Sequence, residues 1–105
     1  LCVLEMAQSM PGQSCVAMFN YGKNYGVYLG MLTALGIPYE IVHPKRWQKE
    51  FSIVGKGRDT KEQAFTVASR LYPALELKTP RGRLLDGRCD AILLATYGLR
   101  QLVKR

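Results

Sequence analysis

Apolar residues follow two different spacings along the chain. The continuous run "LCVL" is typical of a buried strand and predicts one over residues 1–5, ending in Glu5, and "IPYEIVHP" predicts a second strand over residues 38–43. Helical spacing predicts four helices, over residues 21–35, 44–51, 60–73 and about 86–102. Strands that alternate with helices in this way predict an α/β fold.

Local sequence sets the expected ends of these elements. Gly36 closes the first helix, Pro44 stands in the first turn of the second, Thr60 caps the third, and Pro73 stops it. The third helix has an apolar stripe of Ala64, Val67, Ala68 and Leu71. Residues 6–20 and 74–85 lack a clear period and are predicted to be loops, the first of them long and mobile.

Three glycines mark one face of the first predicted helix. Gly22, Gly26 and Gly30 are spaced four residues apart, although each glycine costs a helix ~1 kcal/mol relative to alanine. The stripe therefore predicts a close backbone approach, either to the sheet or to a second subunit. The alternative is a frayed first turn that tolerates glycine.

Composition and charge narrow the class of partner. The 105 residues predict one small domain, 1–105, and carry a net charge of +7 from 15 basic and 8 acidic residues. This excess favours a polyanionic partner, with nucleic acid ahead of an anionic membrane, over a merely basic solvated surface. No apolar run reaches the ~18 residues of a membrane span, so neither a spanned membrane nor a membrane partner is expected.

Cysteine and histidine offer little metal chemistry. Cys2, Cys15 and Cys89 have no CxxC spacing, so each is expected to pack as a small apolar residue in a reducing compartment. His43, the single histidine, precedes Pro44 at the end of a strand and is expected to be structural.

Three carboxylates stand out from the other acids. Glu5 follows a buried apolar run, where an ionised carboxylate is costly unless it is paired. Asp86 and Asp90, four residues apart, share a face at the start of an otherwise apolar helix. A favourable interaction with the helix dipole, worth ~0.3–1 kcal/mol, is a sufficient reason for one acid at this place but a weaker reason for two. Mg²⁺ prefers carboxylate oxygens, and two such ions ~3.5–4 Å apart support hydrolysis of a phosphodiester. We predict that these three carboxylates converge.

Basic and aromatic residues suggest how a nucleic acid would be held. A basic set is expected to contact phosphates, with a solvated loop as the alternative; it comprises Lys61, Lys78, Arg81, Arg83 and Arg88. Phe19, with Met18 at the end of the long loop, is placed to stack on an unpaired base.

The ordered set of segments resembles one family. A strand ending in Glu is followed by "YGKNYGVYLGMLTALGIPYEIVHPKRWQKEF", a glycine loop, "TKEQA" and "DGRCDAILLATYG". This order, over nearly the whole chain, resembles the RuvC-like Holliday junction resolvases and most of all their chloroplast group. Each motif is weak alone, and the specificity comes from the order.

The resemblance implies a fold and an activity. The fold is RNase H-like (RuvC-type), a mixed sheet flanked by helices, in a homodimer that uses Mg²⁺ or Mn²⁺. The activity is a structure-selective endonuclease that resolves four-way DNA junctions by paired nicks. The expected location is intracellular, with the chloroplast nucleoid favoured over another nucleoid-associated, viral or phage location; no small-molecule substrate is expected.

The resemblance also assigns roles to single residues. Glu5 takes the place of the acid on the third strand, and Asp86 and Asp90 take the places of the two acids of the last helix. Lys61 matches the lysine that faces the DNA backbone near the metals. Lys49 matches a second functional lysine, although the local spacing also allows Gln48 at that position.

One departure from the family pattern is a missing aspartate. The family carries it on the first strand, in an Ile-Asp-Pro-Gly-like segment that residues 1–105 lack. We expect the chain to be a fragment of a larger domain that has further strands before Leu1; the alternative is a degenerate member.

Two competing functions remain open. One is another RNase H-like nuclease acting on branched DNA, such as a phage RuvC-like enzyme, and the other is a non-catalytic DNA-binding module of the same fold. An enzyme acting on small phosphate compounds is disfavoured, because no Walker or dinucleotide fingerprint is present.

Overall fold

A computed structural model of the chain describes residues 1–8 and 11–104. Its elements are β1 (Cys2–Glu5), α1 (Cys15–Ala34), β2 (Tyr39–Val42), α2 (Pro44–Glu50), α3 (Arg58–Leu71) and α4 (Asp86–Lys104). This order confirms the α/β prediction. The chain divides into two compact units, Leu1–Val42 and His43–Arg105; the single domain over residues 1–105 stays a prediction. Within the described ranges, no helix combines the length and apolar character needed to cross a bilayer.

The first unit contains a two-stranded parallel sheet. β1 and β2 pair with Cys2 opposite Tyr39 and Glu5 opposite Val42, and α1 supplies the crossover that parallel strands require. β1 is half-buried along its length, so the prediction of a fully buried strand is wrong. The physical reason is that β1 and β2 form a small sheet in which residues such as Ile41 remain 40% exposed. The further strands of a mixed sheet stay a prediction.

α1 begins six residues earlier than the sequence pattern suggested. The Ser14 hydroxyl caps the helix by accepting a hydrogen bond from the Ala17 N–H at 3.1 Å. Residues 15–20 are therefore helical, and the loop predicted over residues 6–20 is wrong for them. Ser9 and Met10, in the same predicted loop, lie outside the described residues.

The C-terminal end of α1 agrees with the sequence. Gly36 adopts a positive φ of 69° just after the helix. Its N–H donates to the Thr33 carbonyl at 3.2 Å, and the Ile37 N–H donates to the Leu32 carbonyl at 2.9 Å. These two bonds form a Schellman motif, which satisfies the last carbonyls of the helix.

α1 has no fully buried residue. A single half-buried stripe runs along it, formed by Met18, Tyr25, Leu29 and Leu32. Away from this stripe Val16 and Phe19 are each 70% exposed and Val27 is 53% exposed. The helix therefore has apolar residues on both sides, but only one side is covered within this unit.

The glycine stripe does not seat α1 on its own sheet. A Cβ atom added at Gly22, Gly26 or Gly30 would meet nothing within 4 Å. The predicted close approach to the sheet is therefore wrong, because the glycines face open space among the described residues. The approach to a second subunit stays a prediction.

The second unit packs α2 and α3 against α4. The most deeply buried large side chains here are Trp47 of α2 and Leu93 of α4, which are 1% and 0% exposed. Glu50, in the last turn of α2, lies 3.7 Å from the Arg100 guanidinium and 3.4 Å from the Lys104 ammonium. These ion pairs join the C-terminal ends of α2 and α4.

Helix starts in this unit follow the sequence in one case and depart from it in another. His43 caps α2, its Nδ1 accepting from the Lys45 N–H at 3.1 Å, which confirms a structural role. α3 begins at Arg58 with Gly57 as its cap, so Thr60 is not the cap. Instead, the Thr60 hydroxyl donates to the Gly57 carbonyl at 2.7 Å.

α3 buries small residues against α4. Ala64, Val67 and Ala68 are buried as expected, but Leu71, at the end of the helix, is 36% exposed. Tyr72, just beyond α3, shares a 2.8 Å hydrogen bond with the Thr96 hydroxyl of α4. This bond fixes the far end of the α3–α4 pair.

α4 is buried on one face rather than on every side. Cys89 and Leu93 are fully buried, whereas Leu99 is 61% exposed. Among the other cysteines Cys2 is half-buried and Cys15 is exposed, so the expectation of a packed thiol is wrong for Cys15. Cys15 is exposed because it is the first residue of a helix that has only one covered side.

Leu93→Ala tests this core. We expect the free energy of unfolding to fall by ~2–5 kcal/mol, because the change leaves a cavity where Leu93 is fully buried. Leu99→Ala, on the exposed side of the same helix, should change it by less than ~0.5 kcal/mol. Urea unfolding measures both; equal losses for the two variants would contradict the described burial of α4.

Candidate functional site

The first turns of α3 and α4 bring a lysine to an aspartate. The Lys61 Nζ lies 3.3 Å from Oδ2 of Asp86, and the two side chains are 56% and 45% exposed. The hydrogen bond from Lys61 lowers the pKa of Asp86 below its usual 3.8; burial opposes this shift, while the charge of Lys61 and the Asp86 and Gly87 N–H groups add to it. Asp86 is therefore ionised at neutral pH and already has a cation beside it.

Asp90 lies one turn further along α4 and is half-buried. A spacing of four residues on this helix puts it on the same face as Asp86. Burial raises the pKa of the Cys89 thiol, and the charges of Asp90 and Asp86 raise it further. Two carboxylates thus lie around one buried, neutral thiol at the start of α4.

The donor set suits a hard cation, but it is incomplete within the second unit. Carboxylate oxygens are the ligands that Mg²⁺ and Mn²⁺ prefer. Among its described residues, neither unit by itself holds three or more His, Cys, Asp or Glu side chains arranged to bind a metal ion. Glu5 belongs to the first unit, at the end of β1, where its carbonyl accepts from the Tyr25 hydroxyl at 3.1 Å. Convergence of Glu5 with Asp86 and Asp90 stays a prediction.

The segment before α4 is a tight turn rather than an unpaired loop. Lys78 and Leu84 form an antiparallel bridge, and Gly82 turns the chain with a φ of 89°. The Thr79 N–H donates to the Arg83 carbonyl at 2.8 Å, and the Arg83 N–H donates to the Thr79 hydroxyl at 3.0 Å. This pairing fixes the backbone at Arg83, immediately before the acidic start of α4.

Two of the predicted DNA-binding cations have partners within the unit. The Lys78 ammonium lies 4.5 Å from the centre of the Phe65 ring. The Arg88 guanidinium donates to the Glu76 carbonyl at 2.7 Å, which ties the turn to α4. Both interactions stabilise the turn, so any phosphate contact by Lys78 or Arg88 would compete with them.

Other predicted residues are exposed and lie apart from the turn's hydrogen bonds. Arg81 is exposed at the tip of the turn, and Lys49 is exposed in the last turn of α2. Gln48, beside Lys49, has a buried Oε1 without a hydrogen-bond partner among the described residues. Phe19 is in α1 rather than at the end of a loop, with the Lys23 ammonium 6.0 Å from its ring centre. That correction to its position leaves base stacking as a prediction.

A cleft of about 480 Å³ lies at the Lys61–Asp86 pair. Its lining residues come from the start of α3, the turn and the start of α4: Gly57, Arg58, Lys61, Glu62, Arg83, Leu84 and Asp86. Sequence reasoning named Lys61, Arg83 and Asp86 but missed Arg58. The missed signal was the glycine loop, because a helix that starts directly after Gly57 brings Arg58 into its first turn.

Gln63 is a second residue whose role sequence reasoning missed. Its Oε1 accepts from the Val54 N–H at 3.0 Å, and its Nε2 donates to the Val54 carbonyl at 2.7 Å. The side chain therefore holds the glycine loop against α3. This fixes the position of the loop just before Gly57 and the cleft.

Comparison with known proteins shows a distant relative. No protein-family model matches the chain. The chain is 27% identical over 103 residues to "Holliday junction resolvase MOC1, chloroplastic" of Chlamydomonas reinhardtii, across 97% of its own length. It is distantly similar to a resolvase. The match spans 11% of the length of that protein.

Lys61→Met tests the electrostatics of the site. Without the ammonium, the pKa of Asp86 should rise towards its ordinary 3.8. Because the pKa in the folded protein is the lower one, ionised Asp86 stabilises the fold above about pH 4, and this contribution disappears as the pH falls through the folded pKa. Lys61→Met should weaken that acid dependence.

The measurement is an NMR titration of the side-chain carboxyl carbon of Asp86. Lys49→Met, which removes an exposed lysine from α2, is the matched control and should leave that titration unchanged. An Asp86 pKa that is the same in the Lys61→Met variant and the wild type would contradict the ion pair.

Proposed function

We propose that this chain is part of a structure-selective, metal-dependent DNA endonuclease that resolves four-way junctions. The observation that carries the proposal is the Lys61–Asp86 pair in a basic cleft, with Asp90 on the same face of α4. The distant similarity to a resolvase supports the same activity. The proposal includes an RNase H-like fold, which the order β1, α1, β2 followed by helices supports, and a chloroplast location, which the relative's name supports.

The acids of α4 fit the metal chemistry that this activity needs. Asp86 and Asp90, together with Glu5, would hold Mg²⁺ or Mn²⁺ through carboxylate oxygens. When bound, such ions supply activation of a water molecule and stabilisation of the leaving oxygen in phosphodiester hydrolysis. Asp86 suits this role because its carboxyl is ionised at neutral pH, and Lys61 lowers its pKa further.

Lys61 is the residue best placed to serve both substrate and acid. Its ammonium pairs with Asp86 and is still 56% exposed, so it is accessible to a phosphate oxygen entering the cleft. We propose that Lys61 turns from Asp86 to the backbone phosphate when DNA and metal are bound. Its loss would then lower the cleavage rate more than the affinity for DNA.

A non-catalytic DNA-binding module is the competing function. The cations of the cleft would serve such a module equally well. The carboxylates of Glu62 and Asp86 in the same lining disfavour it, because acids inside a groove weaken pure phosphate binding. A nuclease that prefers other branched DNA would use the same chemistry, and cleavage of four-way, three-way and flap substrates separates it from a resolvase.

Asp90→Asn tests the proposed role of the acids. We expect junction cleavage to fall by more than ~100-fold, because the change removes a metal ligand while keeping the shape of the side chain. Junction binding without divalent metal should be retained. Cleavage is followed on labelled four-way junctions, and binding by gel shift in EDTA.

Asp59→Asn is the matched control, because it removes the same charge from an exposed acid in the first turn of α3. It should leave cleavage close to the wild-type rate. Wild-type cleavage by Asp90→Asn, or loss of its binding in EDTA, would overturn the assignment.

We propose that the protein is a homodimer and that α1 contributes to the interface. A two-fold dimer presents two equivalent sites to the two equivalent strands of a junction. The support in the structure is the uncovered side of α1, where Phe19 and Val27 are exposed and Gly26 and Gly30 leave open space.

Gly26→Leu tests this interface. Nothing lies within 4 Å of a Cβ at this position, so the change fits within one protomer and should weaken dimerisation only through the partner. Light scattering at micromolar concentration measures the mass, with Asn24→Leu as a control on another side of α1. If the wild type has the mass of a monomer both free and bound to a junction, the dimer is excluded. If the Gly26→Leu variant dimerises as well as the wild type, α1 is excluded from the interface.

A further inference from the structure

We propose that Arg58 and Arg83 form a phosphate-binding subsite that holds a DNA backbone phosphate beside the Lys61–Asp86 pair. The inference rests on the proposed function and adds to it a pair of positioning residues. Arg58 carries no role in the sequence motifs, and Arg83 was expected only to make a general phosphate contact.

The two arginines reach the cleft from different parts of the chain. Both line the cleft that contains Lys61 and Asp86. Arg58 is three residues before Lys61 on α3, so the two side chains are neighbours on the helix surface. Arg83 is three residues before Asp86, on a backbone fixed by its exchange of hydrogen bonds with Thr79.

Both guanidinium groups are available to a ligand. Across residues 1–8 and 11–104, neither has an ion pair, a hydrogen bond or an aromatic partner. Several other cations of the unit do have partners, among them Lys78 on Phe65, Arg88 on Glu76 and Arg100 on Glu50. The internal interactions of the unit therefore account for those cations but not for the pair in the cleft.

Charge in the cleft favours a monoanionic phosphodiester. Arg58, Lys61 and Arg83 outnumber the carboxylates of Glu62 and Asp86 in the lining, and Lys61 is already paired with Asp86. A guanidinium binds phosphate oxygens through two parallel hydrogen bonds. A phosphate between the arginines would relieve their mutual repulsion and satisfy both.

The start of α3 adds donors on the same side. Gly57, which lines the cleft, caps this 14-residue helix with a φ of 71° and without a side-chain hydrogen bond to the first N–H groups. Uncapped N–H groups at a helix start attract phosphate. Because Gln63 holds the preceding loop at Val54, these donors are positioned before DNA arrives.

The first experiment measures phosphate contacts without catalysis. Junction affinity of the protein is measured by fluorescence anisotropy in EDTA between 50 and 200 mM NaCl. Arg58→Ala and Arg83→Ala should each weaken binding about 10-fold at the low salt concentration and reduce the slope of log K against log salt by ~0.9. Arg70→Ala, which removes the same charge from the exposed C-terminal end of α3, should change affinity and slope far less.

The second experiment identifies the phosphate. Junctions that carry one uncharged methylphosphonate linkage at successive positions around the cleavage point are bound to each variant. The wild type should bind more weakly to the junction whose methylphosphonate replaces the phosphate held by the subsite. The double variant Arg58→Ala/Arg83→Ala should bind that junction as well as it binds the unmodified one, because the protein change and the DNA change remove the same interaction. Arg58→Lys keeps the charge without the planar guanidinium, so its loss of affinity at this linkage should lie between those of the wild type and Arg58→Ala.

The outcomes separate the subsite from the proposed function. Suppose that the wild type binds and cleaves junctions, but that both arginine variants match Arg70→Ala in affinity, salt slope and methylphosphonate response. This result would overturn the subsite and leave the function standing. A wild type that neither binds nor cleaves junctions would overturn the function and the subsite with it. Circular dichroism and thermal unfolding confirm that the variants fold, which the exposure of both side chains favours.

Discussion

The packing of α3 against α4 is the constraint on which the candidate site depends. Ala64, Val67 and Ala68 present a mostly small, fully apolar surface, so the two helices approach closely. Lys61 meets Asp86 at one end of the pair, and Tyr72 meets Thr96 about three turns later. The helices therefore run in the same general direction, and their positive N-terminal ends lie together. That arrangement gathers acids and bases at one place on the surface.

The charged side chains around the starts of α3 and α4 are of two kinds: some interact within the unit, and others are available to a ligand. Arg88 and Lys78 stabilise the turn before α4, and Lys61 offsets the charge of Asp86. The remaining cations of the cleft, Arg58 and Arg83, make no side-chain interaction with the described residues of the unit. A site that is to hold both metal ions and DNA needs this division, because its acids would otherwise repel phosphate and its bases would otherwise be bound to the acids.

The first unit shows the opposite balance, with more apolar surface than it covers. β1 is only half-buried, and α1 leaves Val16, Phe19 and Val27 in the open. The chain spans 11% of the length of its resolvase relative. Exposed apolar residues on the uncovered side of a 20-residue helix are costly for an isolated unit, and this cost is what the proposed dimer would relieve.

Local sequence signals located most of the elements. The two strands, the α/β order, the Gly36 stop and the structural role of His43 each depend on neighbouring residues, and all were predictable. Two helix starts differed from the prediction, because Ser14 and Gly57 replaced the expected boundaries. Capping depends on backbone geometry, which apolar spacing does not report.

The sequence by itself determined the chemistry that is present: a basic chain, two acids four residues apart at a helix start, and a lysine in "TKEQA". Tertiary structure decided which of these groups meet. It paired Lys61 with Asp86, turned Arg88 away to a carbonyl, and brought Arg58 into the cleft. Contacts between residues far apart in the chain depend on how the helices pack, and no local pattern in the sequence encodes that packing.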